Sequence, residues 1–108
     1  MTADTPARYK TQARIIKALA HPTRLFLVDE LSRGERCVND LTARIGAGMP
    51  TVSRHLSQLK AAGIVDDEKR GAHVFYRLRS VCVRDFFKCI NAVQAHGQEP
   101  ESSRTKLP

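Results

Sequence analysis

Three cysteines, Cys37, Cys82 and Cys89, carry the most distinctive chemistry in the sequence. Thiolates are soft ligands, and three of them suit a trigonal soft centre such as arsenite or antimonite. An odd number cannot pair completely within one chain, and a reducing cytosol keeps thiols free. Cys82 and Cys89 are seven residues apart, which puts them on nearly one face of a helix. On an ideal helix they stand about 10 Å apart along the axis. One trivalent arsenic needs every sulfur within bonding distance, so such a helix cannot close a three-sulfur site by itself. Either its first turn is irregular or a partner subunit supplies a ligand. Cys89 has a second reading, as a small buried hydrophobe beside Phe86 and Ile90. Cys37 and Cys82, if close, could also form a disulfide or polysulfide bridge. The four histidines stand singly, at 21, 55, 73 and 96. A Walker loop, a nucleophile elbow and a His-Glu-x-x-His motif are all missing, which argues against an enzyme.

The elements that must position these groups belong to one domain, since 108 residues allow no more. Hydrophobic content of 42% and charged content of 27% are globular values. Lys and Arg number 18 against 11 Asp and Glu, and the balance of +7 points to a polyanionic partner. No apolar run approaches the roughly 18 residues that span a bilayer. Met1 to Lys10 is polar and lacks the core of a signal peptide. The expectation is a soluble, cytoplasmic protein with no membrane partner.

Residues 1–5 read as a disordered start, with Thr5 capping and Pro6 opening a first helix. Tyr9, Ala13, Ile16 and Ala20 recur at helical spacing along it. His21-Pro22 interrupts that helix, and a second carries Leu25, Val28 and Leu31 inward, with Gly34 placed to end it in a left-handed conformation. Arg36-Cys37-Val38 reads as a short extended linker. A third helix has Asn39 as its cap and Val38, Leu41 and Ile45 inward. Gly46-Ala47-Gly48 breaks the chain before a fourth helix, about Pro50 to Ala62, with Val52, Leu56 and Leu59 inward. The period then becomes two: Ile64-Val65 and the alternation around Val74, Tyr76 and Leu78 flank a Gly71 turn, a β-hairpin. Ser80 caps a fifth helix through about Ala95, with Val83, Phe86 or Phe87, Ile90 and Val93 on one stripe. Residues 6–97 form the folded domain, and the polar tail 98–108 reads as disordered.

Two short helices around the Gly46 turn make a helix-turn-helix candidate. The second exposes Thr51, Ser53, Arg54, Ser57, Gln58 and Lys60, with His55 near its edge. That face offers donors to base edges and phosphates and has no carboxylate to be repelled by DNA. Lys69, Arg70 and His73 at the hairpin tip are placed to touch phosphates, which fix register while the helix reads sequence.

Ala18-Leu19-Ala20-His21-Pro22-Thr23-Arg24-Leu25 resembles the opening signature of the ArsR/SmtB metalloregulators. The run from Pro50 to Val65 is similar to that family's reading helix, and Gly71 through Leu78 to its wing. The resemblance covers roughly Ile15 to Val93. It implies a mainly α winged helix-turn-helix of about five helices with a small β-hairpin. It also implies a homodimer formed through the first and last helices. Such a repressor binds double-stranded operator DNA when empty and releases it when a small inorganic inducer binds. Inducer binding then changes the spacing of the two reading helices, which face half-sites about one helical turn apart.

Arsenic- and cadmium-type members carry Cys-Val-Cys-Asp-Leu at the start of the third helix. Here Cys37-Val38-Asn39-Asp40-Leu41 keeps the first Cys and has Asn39 for the second. The positions that hold zinc in zinc-type members look like Ser80, Cys82, Val93 and His96, of which only two can bind metal. Cys37, Cys82 and Cys89 are left as candidate ligands of arsenite or antimonite, with no permanent cofactor. Pairing of the Cys37 stretch beside the end of the wing strand near Leu78 would bring Cys37 to Cys82. A thiol redox or persulfide sensor of the same fold is the alternative. A constitutive DNA-binding protein with inert cysteines is another.

Overall fold

The computed structural model describes residues 4–97. Residues 1–3 and the tail 98–108, both expected to be disordered, lie outside the described residues. The order is α1 (Asp4–Leu19), α2 (Pro22–Leu31), β1 (Arg36–Cys37), α3 (Val38–Ile45), α4 (Met49–Ala61), β2 (Val65–Arg70), β3 (His73–Leu78) and α5 (Cys82–His96). The three strands form one antiparallel sheet in the order β1-β3-β2. Five helices and a hairpin agree with the architecture expected from the periodicities.

The breaks follow local chemistry. Pro22 cannot continue α1, and the His21 ring replaces the lost continuity by accepting the Thr23 N–H on Nδ1 at 3.1 Å. Gly46 closes α3 in the left-handed region, at φ 79°, and its N–H bonds the Thr42 carbonyl at 3.0 Å. Gly48 then opens α4, with Pro50 in the first turn. The hairpin turn is two residues long. Gly71 has φ 61° and Ala72 has none of that strain, as a type II′ turn with Gly first requires.

Several boundaries differ from expectation. α1 begins at Asp4, so Thr5 lies inside the helix rather than capping it. α2 ends with Ser32 as its cap, and Gly34 takes φ 147° two residues later, outside the left-handed helical well. Cys37, not Asn39, precedes α3, and no side chain caps it. Val81 occupies the cap position of α5, although the Ser80 hydroxyl still accepts the Cys82 N–H at 3.2 Å. The linker at Arg36-Cys37 is a short edge strand on β3.

The core is built by α2, α3, α4 and the sheet: Leu27, Val28, Leu41, Val52, Leu56, Leu59 and Val65 are fully buried. Burying each such side chain is worth about 1.5–3 kcal/mol. α1 contributes only Leu19 and α5 no buried residue. On α5, Val83, Phe86 and Phe87 pack against the core while Ile90 and Val93 stay 47% and 69% exposed. The core thus holds α3 and α4 rigidly and leaves apolar faces of α1 and α5 open.

Candidate nucleic-acid interface and thiol positions

Val52, Leu56 and Leu59 face inward at helical spacing, so the rest of α4 must face out. Thr51, Arg54, Ser57, Gln58 and Lys60 are exposed, and Ser53 and His55 are half-buried. α4 carries no Asp or Glu. Arg54 makes no ion pair among the described residues.

Lys60 is different, because its ammonium sits 2.8 Å from Asp67 of β2. The hydrogen bond to Asp67, reinforced by its charge, holds the Lys60 pKa above the usual lysine value. Arg70 is likewise occupied. Its guanidinium forks onto both carboxylate oxygens of Glu35 at 2.7 and 2.8 Å, touches Glu68 at 2.9 Å, and lies 4.7 Å from the Phe75 ring centre. That bidentate bond lowers the Glu35 pKa and raises that of Arg70. Of the wing-tip residues named from the sequence, Lys69 and His73 are exposed without an ion pair among the described residues.

His55 turns toward the body of the domain. Its Nδ1 accepts the Nε–H of Arg24 at 3.1 Å, and its ring centre lies 4.5 Å from that of His21. Arg24 also donates to the Ala18 carbonyl at 3.4 Å, joining α1, α2 and α4 through one guanidinium. Burial comes first, then the charges at His21, Arg24 and Arg54, in holding the His55 pKa below the usual value. Sequence reasoning passed over Arg24, Glu35 and Asp67. Arg24 had a visible signal, one helical turn into α2 behind His21 and Pro22.

The three cysteines occupy separate places. Cys37 is half-buried and pairs with Phe75, whereas Leu78 pairs with Val65. The register therefore sets Cys37 three residues, about 10 Å, from the expected position beside Leu78. Cys82 and Cys89 are exposed on α5, so the buried reading of Cys89 does not hold within one chain. All three thiols are free. Among the described residues no group of three or more His, Cys, Asp or Glu side chains comes together to hold a metal ion. A trigonal site within one chain does not fit this arrangement.

The sequence profile of the bacterial regulatory protein, arsR family, matches residues 21–67, from the start of α2 into β2. The chain is 41% identical to the biofilm growth-associated repressor of Xylella fastidiosa over 75 residues, 69% of this chain and 66% of that protein. It is 43% identical to an arsenic resistance transcriptional regulator of Pseudomonas putida over 65 residues, 59% of this chain and 51% of that one. It thus spans between half and two-thirds of the length of these relatives. Its fold is similar to the homodimeric winged helix-turn-helix DNA-binding domain of Mycobacterium bovis, with TM-score 0.79 and 30% identity over 90% of each chain. With the α3–Gly46–α4 unit and the β2–β3 wing in place, these matches show that the chain belongs to the arsR family, whose members are DNA-binding transcriptional regulators and not enzymes.

Proposed function

We propose that the chain is a dimeric transcriptional repressor that holds operator DNA with α4 and releases it when thiols on α5 are modified or ligated. The observation that carries the DNA half is the outer face of α4, where Thr51, Arg54, Ser57 and Gln58 are exposed on a helix without a carboxylate. Donors of this kind pair with base edges in the major groove.

Dimerisation is supported by the open apolar residues Tyr9 and Ile16 of α1 and Ile90 and Val93 of α5. A helix stripe of that composition is stable in water when a partner helix covers it. The homodimeric state named for the Mycobacterium bovis domain agrees.

The thiol half rests on the exposure of Cys82 and Cys89 on that helix. Since one chain does not gather three sulfurs, an arsenite or antimonite inducer would draw its thiolates from both subunits. The same exposure favours a second reading, because two thiols are enough for a disulfide. A peroxide would take the two electrons and two protons released as the sulfur–sulfur bond forms. Mobility-shift titration of a duplex selected from a random pool tests all of this, with arsenite or peroxide added to wild type and to Cys37→Ser, Cys82→Ser and Cys89→Ser. Release by arsenite that is lost in Cys82→Ser or Cys89→Ser supports the metalloid reading, and release by peroxide alone supports oxidation. No release by either, or identical release from all three variants, removes the thiol half.

A further inference from the structure

Three cations converge on one concavity beside α4. Arg14 and Lys17 of α1, Arg24 of α2 and Gln58 of α4 line an open cavity of about 260 Å³, together with Ala18, Ala61 and Ala62 and with no carboxylate. Seven cations elsewhere among the described residues, Arg33, Arg36, Arg44, Lys60, Arg70, Arg77 and Arg79, have carboxylate partners. Arg14, Lys17 and Arg24 have none among the described residues.

Arg24 is also fixed in place. Its bonds to His55 and to the Ala18 carbonyl use two of its N–H donors. The remaining donors of the five in a guanidinium stay available. Arg14, Lys17 and Ala18 share one side of α1. At about 100° per residue, Arg14 and Ala18 lie about 100–180° round the helix from Tyr9, Ala13 and Ile16, and Lys17 borders the stripe, about 40° from Ala13. A partner covering the apolar stripe therefore leaves Arg14 and Ala18 clear, with Lys17 at its border.

Gln58 joins this cavity to the reading face, because it follows Arg54 by four residues and shares its side of α4. It stands about 6 Å further along the helix axis than Arg54. The major groove is about 12 Å wide, so a helix that crosses it with Arg54 over the mid-groove base edges brings Gln58 level with the bordering phosphate strand.

We propose that the cavity is a phosphate site that takes the DNA backbone flanking the groove entered by α4, with Arg14 and Lys17 as its charged contacts and Arg24 as their positioned third. This deepens the DNA-binding reading and rests on it. The site would fix the orientation of α4 without reading sequence.

The test measures dissociation constants of the full chain across a range of salt, for a duplex selected from a random pool and for one of unrelated sequence. The variants are Arg14→Gln, Lys17→Gln, their double, and Arg14→Lys. The double variant is expected to weaken binding to both duplexes alike, and to flatten the slope of log Kd against log salt by about 0.9 for each phosphate lost. Arg14→Lys should keep the wild-type slope. A wild-type slope in the double variant overturns the assignment. Inorganic phosphate supplies the second arm: if it raises the melting temperature of wild type but not of the double variant while the slopes match, the cavity holds a free anion and the backbone assignment is also overturned. These failures differ from failure of the DNA-binding reading itself, in which wild type binds neither duplex and Arg54→Ala changes nothing.

Discussion

The Nε–H of Arg24 donates to Nδ1 of His55 across 3.1 Å, and the bond couples the start of α2 to the middle of α4. It forms only while His55 is neutral, since a protonated imidazole has no lone pair to offer. The side chain expected to face DNA therefore serves as a strut that sets the angle of α4 against α1 and α2.

A pH dependence follows from that strut. Burial and the surrounding charges hold the His55 pKa in the folded chain below its ordinary 6.5. Below 6.5 the unfolded chain takes up this proton before the folded one does, so stability falls as pH falls through that window. At higher pH both states are neutral and the contribution is complete. Melting temperatures on either side of pH 6.5 should fall on the acid side for wild type, and His55→Gln should lose part of that drop. Equal acid sensitivity in both proteins would show that His55 does not titrate against folding.

Arg54 and Lys69 should separate sequence reading from phosphate contact. Arg54→Ala is expected to cost about 1–3 kcal/mol on a selected duplex and much less on random DNA, because a base-directed arginine discriminates. Lys69→Ala should weaken both alike and flatten the salt slope by about one unit. Fluorescence anisotropy on the two duplexes measures each. Equal losses for Arg54→Ala on both would remove its reading role.

What the sequence disclosed was local. Val52, Leu56 and Leu59 repeat at helical spacing, and all three are buried on α4 as that spacing requires. The Gly46 break and the Gly71 turn were legible because positive φ has few other hosts. The partners of Lys60 and Arg70 were not legible. Arg70 binds Glu35, which is 35 residues away, and only the β1-β3-β2 order brings them together. The register at Cys37 was hidden for the same reason, since two strand residues carry no period from which an alignment could be read.

The core and the open faces should respond differently to substitution. Leu56→Ala removes a fully buried side chain and should lower the unfolding free energy by about 2–5 kcal/mol, read as a lower denaturant midpoint at unchanged slope. Val93→Asp alters a side chain 69% exposed on α5 and should spare the fold of the single chain. In sedimentation velocity it should shift dimer to monomer. A dimer that persists in Val93→Asp and in Ile16→Asp would place the interface elsewhere.

The internal ion pairs give the last expectation, one in which affinity rises. Asp67 holds Lys60 at 2.8 Å, and Glu35 holds Arg70 through two bonds, so neither cation is fully available to a phosphate. Asp67→Asn removes the charge that neutralises Lys60 and keeps the size of the side chain. Glu35→Gln does the same for Arg70, although Glu68 at 2.9 Å retains part of its hold. Each cation set free near the DNA-facing surface adds up to one phosphate contact, which steepens the salt slope by about 0.9. Asp67→Asn should therefore bind random duplex more tightly than wild type at low salt, and Glu35→Gln should show a smaller gain. Because such contacts carry no sequence information, affinity for a selected duplex should rise by the same factor and leave the ratio between the two unchanged. A gain confined to the selected duplex would mean that Lys60 reads a base, and no gain would mean that it stands clear of the DNA even when released.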